Sequence, residues 1–323
     1  MAAMTRHGIG NRVVVTGGNG FLGKQVVKQL IDAGYDVQVP KHSKYDLRRR
    51  IAVQLMYLTM QPDIVVHLAA ECGGIGANQA SPGSFLYDNL IMGLEMIDCA
   101  KDFGVRKFVQ VGTVCAYPKY APVPFREEDL WGGYPEETNA PYGLAKKMLL
   151  VQGQAYRQQY GTNVIYLLPA NLYGPGDNFD PATSHVIPAL IKKCLDAKRN
   201  GDKSITVWGT GSASREFLYV DDCAEAIVKA TASYNGAEPI NIGNGTEVGM
   251  RDLVYWVQKL TGYAGDIQWD PTKPDGQPRR SLEVSKAFAE FAFKAKIDLQ
   301  TGLKRTIDWY AQNAQNLDSN IVL

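Results

Sequence analysis

Two residue pairs have types and spacing suited to chemistry. Tyr142 and Lys146 stand four apart in PEETNAPYGLAKKM, which puts both on one face of a helix. Asn139 has the type of an N-cap and Pro141 fits a first turn, so the spacing predicts a helix starting here. A phenol titrates near about 10 and works poorly as an acid or base at neutral pH, unless an adjacent ammonium such as that of Lys146 favours its phenolate. The second pair is Thr113 and Cys115 in VQVGTVCAYP, where an apolar run ends. A strand points alternate side chains to one side, so both are expected to face the space beyond the sheet edge. They are either chemistry or core, since a threonine and a cysteine at a strand end are also ordinary buried side chains.

A cofactor site must stand near such groups. Directly after the first β-branched run comes TGGNGFLG, with Gly17, Gly20 and Gly23 in G-x-x-G-x-x-G spacing before an amphipathic helix ending near Gly34. Glycines there permit a tight turn, let the backbone approach a pyrophosphate at the helix N-terminus, and allow close helix–strand packing. In this strand–loop–helix context the triplet, with Asn19, Phe21 and Leu22 between and beside it, points to a dinucleotide. The second strand ends in VQVPKHSKYDL rather than in the acid that binds an adenosine ribose hydroxyl. Lys41 and His42 are suited to a 2′-phosphate, so NADP(H) is the expected cofactor, with plain surface polarity as the other reading. Asp46 and Leu47 are expected to flank the adenine, and Lys146 to reach the nicotinamide ribose.

The elements that would hold these residues are legible. Short runs at Val13, Val37, Ile64, Lys107 and Val164 alternate with helix-length segments, the pattern of an α/β, doubly wound parallel sheet of the Rossmann type. After Tyr173 the chain enters GPGDNFDPATSHVIP, too polar for a core strand. A helix over 189–196, a strand at ITVWG and a helix over 223–232 are expected to follow. The remainder reads as a smaller, interleaved mixed α/β substrate lobe over the carboxyl edge of the sheet. The expected division is 11–170 with 211–245 for the cofactor, and 171–210 with 246–323 for the substrate.

Composition excludes other classes. The net charge is +1 and no like-charge block exceeds Arg48, Arg49 and Arg50, read as a solvated helix face; nothing indicates nucleic-acid or membrane-surface binding. Five cysteines without a CxxC pair suit a reducing cytoplasm. His7, His42, His67 and His185 have no metal-ligand spacing, so no metal site is expected. The start, MAAMTRHGIGNR, lacks the apolar run of a leader.

Taken together, the glycine loop, Thr113, and the Tyr142–Lys146 pair resemble the extended short-chain dehydrogenase/reductase family over nearly the whole chain. The resemblance implies a catalytic triad of Thr113, Tyr142 and Lys146, with Ala69, Ala70, Pro169, Asn171 and Leu172 also at the cofactor. Within that family ECGGIGANQ, VCAYP, PANLYGPGDNF, SHVIPAL, SREFLYVDD and DGQPRR resemble the GDP-L-fucose synthase family. Those enzymes epimerise and reduce GDP-4-keto-6-deoxy-D-mannose. The glycine loop departs from this pattern, being GGNGFLG where that family usually has GHxGMVG.

A ketone at C4 acidifies the protons on C3 and C5, and inverting either centre needs a base on one face and an acid on the other. The resemblance assigns Cys115 as base and His185 as acid; the related GDP-mannose 3,5-epimerases carry a lysine where this histidine stands. It further implies Lys193 and Arg215 on the diphosphate, Trp208 on the guanine or ribose, Asp275 on a hydroxyl, and Gly74, Ile75 and Asn171 at the substrate. It also implies a homodimer formed by the helices after the third and fourth strands. The alternatives are a GDP-4-keto-sugar reductase of deoxyheptose or colitose type with one or no epimerisation, and a non-catalytic NADP-sensing interaction protein.

Overall fold

The structure is a computed structural model that describes residues 10–320. Most of the MAAMTRHGIGNR segment, His7 included, and residues 321–323 at the end of the expected substrate lobe lie outside the described residues.

The first part of the chain runs β1 (Arg12–Thr16), α1 (Phe21–Asp32), β2 (Asp36–Gln38), α2 (Arg50–Met60), β3 (Ile64–His67), α3 (Ile75–Ala80), α4 (Pro82–Asp102), β4 (Lys107–Val111), α5 (Ala140–Tyr160) and β5 (Val164–Pro169). Val13, Val14 and Val15 are fully buried, because helices cover both faces of a parallel sheet and its strands can be apolar throughout. α1 turns Gly23, Val26 and Leu30 inward, the stripe expected of a helix with one face on the sheet.

The second part continues with β6 (Asn171–Tyr173), α6 (Val186–Asn200), β7 (Ser204–Trp208), β8 (Ser214–Tyr219), α7 (Val220–Ser233), β9 (Ile240–Ile242), β10 (Glu247–Gly249), α8 (Met250–Thr261), β11 (Asp266–Asp270), α9 (Ser285–Phe291) and α10 (Leu299–Asn320). The helices expected over 189–196 and 223–232 are present but start earlier, α6 immediately after His185 and α7 at Val220.

Six strands form one parallel sheet in the order β2-β1-β3-β4-β5-β9. α1 packs with α7, while α4 packs with α2 and α5; right-handed crossovers place these layers on opposite faces. The order reverses between β1 and β3, which opens a crevice at the carboxyl ends of the strands. A second core, with Tyr173, Phe179, Ile191, Phe217, Leu253 and Leu303, lies over that edge. It is built on a sheet of β10, β8 and β6 and on the pair β11 and β7.

The chain passes between the two cores more than once, since Leu282, Ala287 and Phe291 return to the main one. Glu216 secures that return. Its buried carboxylate accepts bonds from Asn244 N (2.6 Å), Gly245 N (2.9 Å), Leu282 N (2.7 Å) and Ser281 Oγ (3.2 Å), which is how a buried acid is tolerated. No helix among the described residues is long and apolar enough to cross a membrane.

Candidate active site

A cavity of about 890 Å³ opens at the carboxyl ends of β1, β3 and β4, between the two cores. At one end it is lined by Gly17, Asn19, Gly20, Phe21, Leu22 and Gly23, faced by Ala69 and Ala70 after β3 and by Pro169 and Leu172 near the end of β5. Gly17 has φ +69°, and a Cβ on it would come 2.8 Å from the Ala69 nitrogen, so only glycine lets the loop lie this close. Gly20 caps α1 without a side-chain bond, which leaves the first N–H groups of the helix directed at the crevice. This cradle fits a dinucleotide phosphate.

The adenosine end corrects part of the sequence expectation. His42 and Leu47 line the cavity, but Lys41 and Asp46 do not. The Lys41 carbonyl accepts Lys44 N and Tyr45 N, both at 3.0 Å, and the turn this makes leaves its side chain in solvent. Asp46 faces Arg48, accepting Nε at 2.9 Å and Nη2 at 3.1 Å; these bonds hold its carboxyl down at about 2. Arg48, clamped in this way and with Asp88 at 3.5 Å, does line the cavity. The arginine run is therefore not one solvated face. Arg48 serves the crevice, Arg49 is exposed, and Arg50 ties α2 to α4 through Glu95 and Asp98.

Thr113 and Cys115 are not on a strand. β4 ends at Val111, and Val114–Ala116 form a 3-10 turn whose N-cap is Thr113. The Thr113 hydroxyl accepts Cys115 N at 3.2 Å, so turn geometry rather than strand alternation aims both side chains at the cavity. α5 lies directly on this turn, because a Cβ on Gly143 would run into the Cys115 carbonyl oxygen. Asn139 is the N-cap of α5 by position but caps nothing with its side chain; its amide donates to Glu136 Oε2 at 2.9 Å.

Tyr142, Lys146 and Thr113 line the cavity together. Burial pushes the Tyr142 phenol well above its ordinary value, opposed by a hydrogen bond with Thr113. Lys146 Nζ donates to the Val111 carbonyl at 3.3 Å, and burial lowers it to about 8. The phenolate expected beside Lys146 is thus not the form this site favours. Desolvation outweighs the Thr113 bond, and the neutral phenol is the favoured form.

On the sugar side Cys115, His185, Gly74, Ile75, Asn171, Lys193, Trp208, Arg215 and Asp275 line the same cavity. His185 precedes α6 as its N-cap residue, without a side-chain capping bond. Its ring is open to the cavity but enclosed by the cavity walls, and that desolvation, with the charge of Arg280, holds it below its ordinary value. Both effects favour the neutral imidazole, as does the positive end of α6. Gly74 N bonds Thr183 O at 3.0 Å, which joins the loop after β3 to the segment carrying His185.

Trp208, 48% exposed, is not a core residue; its indole lies beneath Lys273 Nζ at 5.2 Å. Lys193 Nζ donates to Thr206 O at 2.9 Å. Arg215 is buried with backbone partners only, Ser214 O and Asp275 O, and burial followed by the Arg280 charge lowers it to about 9. Both carboxylate oxygens of Asp275 are taken by Thr210, at 2.8 Å from its nitrogen and 2.7 Å from its hydroxyl. Asp275 therefore fixes a turn of the wall.

Arg280 and Asp177, not singled out from sequence, also line the cavity. Arg280 Nη1 is 3.5 Å from Cys115 Sγ and 3.1 Å from Asn171 Oδ1. Asp177 is buried with Oδ2 unpartnered. Arg280 stood in the quoted DGQPRR, but no spacing rule links it to a residue so far back in the chain. Asp177 likewise stood unremarked in GPGDNF.

Residues 13–243 match the NAD dependent epimerase/dehydratase family. Over 306 residues the chain is 42% identical to GDP-L-fucose synthase 1 of Arabidopsis thaliana, covering 94% of each chain. In structure it is similar to a GDP-6-OMe-4-keto-L-xylo-heptose reductase of C. jejuni, with a TM-score of 0.88 at 27% identity over 94% of this chain and 98% of that one. It is also similar to a GDP-L-fucose synthetase of Naegleria fowleri bound to NADP, with a TM-score of 0.84 at 28% identity over 94% and 95%. The glycine cradle at the turn after β1, the Thr113–Tyr142–Lys146 set and these likenesses agree: the chain belongs to the NAD dependent epimerase/dehydratase family.

Proposed function

We propose that the protein is an NADPH-dependent 3,5-epimerase and 4-reductase of a GDP-4-keto-6-deoxy-mannose-type sugar, giving GDP-L-fucose or a close analogue. The observation that carries this reading is that Cys115 and His185 line the same cavity as Thr113, Tyr142, Lys146 and the glycine loop. The similarity to enzymes named for GDP-L-fucose synthesis supports it.

The glycine loop and the α1 N-terminus would hold the cofactor diphosphate, and Arg48 with His42 the 2′-phosphate. NADPH bound there supplies hydride for C4 of the sugar. Lys193 and Arg215 take the substrate diphosphate and Trp208 stacks on the nucleoside. Cys115 removes a proton α to the ketone, and the electron pair of the C–H bond passes into the enolate. His185 returns a proton on the opposite face. An entering diphosphate offsets the positive charge of the wall and favours the imidazolium that this step needs. Tyr142, neutral in its buried wall, gives its proton to the C4 oxygen while Thr113 orients that oxygen.

Residues 11–170 with 211–245 hold the cofactor in this reading, and 171–210 with 246–323 the sugar nucleotide. Leu86 and Tyr87 on α4 and Met148 and Val151 on α5 are exposed; this apolar face supports a homodimer. All five cysteines are free, which supports a reducing cytoplasm.

The similarity to a heptose 4-reductase favours one other reading, reduction with one or no inversion. Incubation with GDP-4-keto-6-deoxymannose in deuterated water without NADPH tests the first reading. Deuterium is expected at C3 and C5, and its absence from both would leave a reductase.

A further inference from the structure

We propose that Arg280 is the positioning residue for Cys115, its buried guanidinium holding the sulfur as an anion aimed into the cavity through the epimerisation. The chemistry rests on the epimerase reading above; the pairing itself does not.

Arg280 is 5% exposed, and its bonded partners are Gln277 Oε1 (2.9 Å), Asn171 Oδ1 (3.1 Å) and Cys115 Sγ (3.5 Å). Among the described residues no carboxylate forms an ion pair with it. A buried cation with neutral partners alone is costly, and the cost falls when an anion stands against it. Of its three bonded partners only the Cys115 sulfur can become one. The thiolate is also the form of cysteine that accepts a proton, and adjacent guanidinium charge favours it.

The geometry is braced from both sides. Gln277, 1% exposed, donates to Pro118 O at 2.9 Å and Lys119 O at 3.2 Å. The segment just beyond Cys115 therefore grips the same glutamine that orients Arg280 Nε. On the other side Glu216 holds Ser281 and Leu282, and Phe125 N bonds Ser281 O at 2.8 Å. Cys115, Pro118, Gln277 and Arg280 thus form a closed chain of contacts. A sulfur held in this way cannot swing from the substrate without breaking a charge-assisted bond. Arg215, the neighbouring cation, has backbone partners and is left for the diphosphate.

The test uses the full chain as wild type, Arg280→Gln and Arg280→Lys, with NADPH binding and thermal melting as fold controls. The rate of iodoacetamide labelling of Cys115 at neutral pH is followed by peptide mass spectrometry, which separates it from exposed Cys72, with no sugar or NADPH present. Labelling is expected to slow roughly 10-fold in Arg280→Gln and to return most of the way in Arg280→Lys. Deuterium exchange into the keto-sugar is expected to fall roughly 100-fold in the glutamine variant and roughly 10-fold in the lysine variant, which keeps the charge but loses the fork.

An unchanged labelling rate in Arg280→Gln overturns the proposal, including the case in which only the KM for the sugar nucleotide rises. If Arg280→Gln does not fold, exchange by Arg280→Lys equal to wild type overturns it. Slowed labelling in Arg280→Gln together with no deuterium in wild type would support the Arg280–Cys115 pairing and sink the epimerase reading.

Discussion

The Thr113 hydroxyl accepts the backbone N–H of Cys115 at 3.2 Å, and the same hydroxyl is hydrogen-bonded with Tyr142. One side chain thereby sets the direction of the proposed base and touches the proposed acid of the reduction. Thr113→Val removes both bonds while keeping shape. NADPH oxidation with the keto-sugar is expected to slow by roughly 100-fold, and Thr113→Ser to keep most of the rate. Equal rates in the valine variant and wild type would refute a role for this hydroxyl.

Tyr142→Phe is expected to abolish reduction while NADPH binding and solvent exchange at C3 and C5 persist. NADPH consumption on a keto-sugar at the wild-type rate in Tyr142→Phe would show the triad of Thr113, Tyr142 and Lys146 to be wrong. Lys146, lowered to about 8 by burial, loses its charge as pH rises through that value. The kcat/KM for reduction is therefore expected to decline above about pH 8, and Lys146→Arg to remove the decline by staying charged.

Cys115 and His185 predict different failures. Cys115→Ser removes the base, so deuterium should enter neither C3 nor C5. His185→Asn leaves the base, so Cys115 can return deuterium to the face from which it took the proton. Exchange without inversion, read by NMR of the recovered sugar, is the expected signature, with inversion down at least about 100-fold. Normal inversion in His185→Asn would remove it from the mechanism.

Cofactor preference should follow Arg48 and not Lys41. Arg48→Ala is expected to raise the KM for NADPH roughly 10- to 100-fold and to leave that for NADH nearly unchanged. Lys41→Ala, a change in solvent, should alter neither. Steady-state kinetics with both nucleotides decide between them.

Asp177 carries a stability signature. Burial raises its carboxyl to about 7, so between about pH 4 and 7 the folded chain keeps a proton there that the unfolded chain releases. Its stabilising contribution is full below about pH 4 and lost as pH rises through 7. Asp177→Asn should therefore match wild type near about pH 4 and exceed it by roughly 1–4 kcal/mol at pH 8. Thermal unfolding at the two pH values measures this, and equal melting at pH 8 would contradict it.

What was legible in the sequence follows the range of the interaction. β1 and its glycine loop are local patterns, and the structure has both. Tyr142 and Lys146 were found because helical spacing is local too. Thr113 and Cys115 were expected on a strand because alternation was carried two residues past Val111, where the chain has already turned into a 3-10 helix. Arg48 was hidden in a charge run; Asp46 pairs with both it and Arg49, and only the distant contact with Asp88 and the place at the cavity separate the two. Arg280 meets Cys115 across 165 positions, and a contact of that kind exists only once two cores have packed.

That packing has a further consequence through His185. Thr113, Cys115, Tyr142 and Lys146 all stand on the main core, whereas His185 leads into α6, whose buried face belongs to the second. In the proposed mechanism the groups that act at C4 stand on the first core, while inversion also needs His185 from the second. A lineage could shed inversion by drift in the short 180–185 segment while its fold, cofactor and hydride chemistry stay intact.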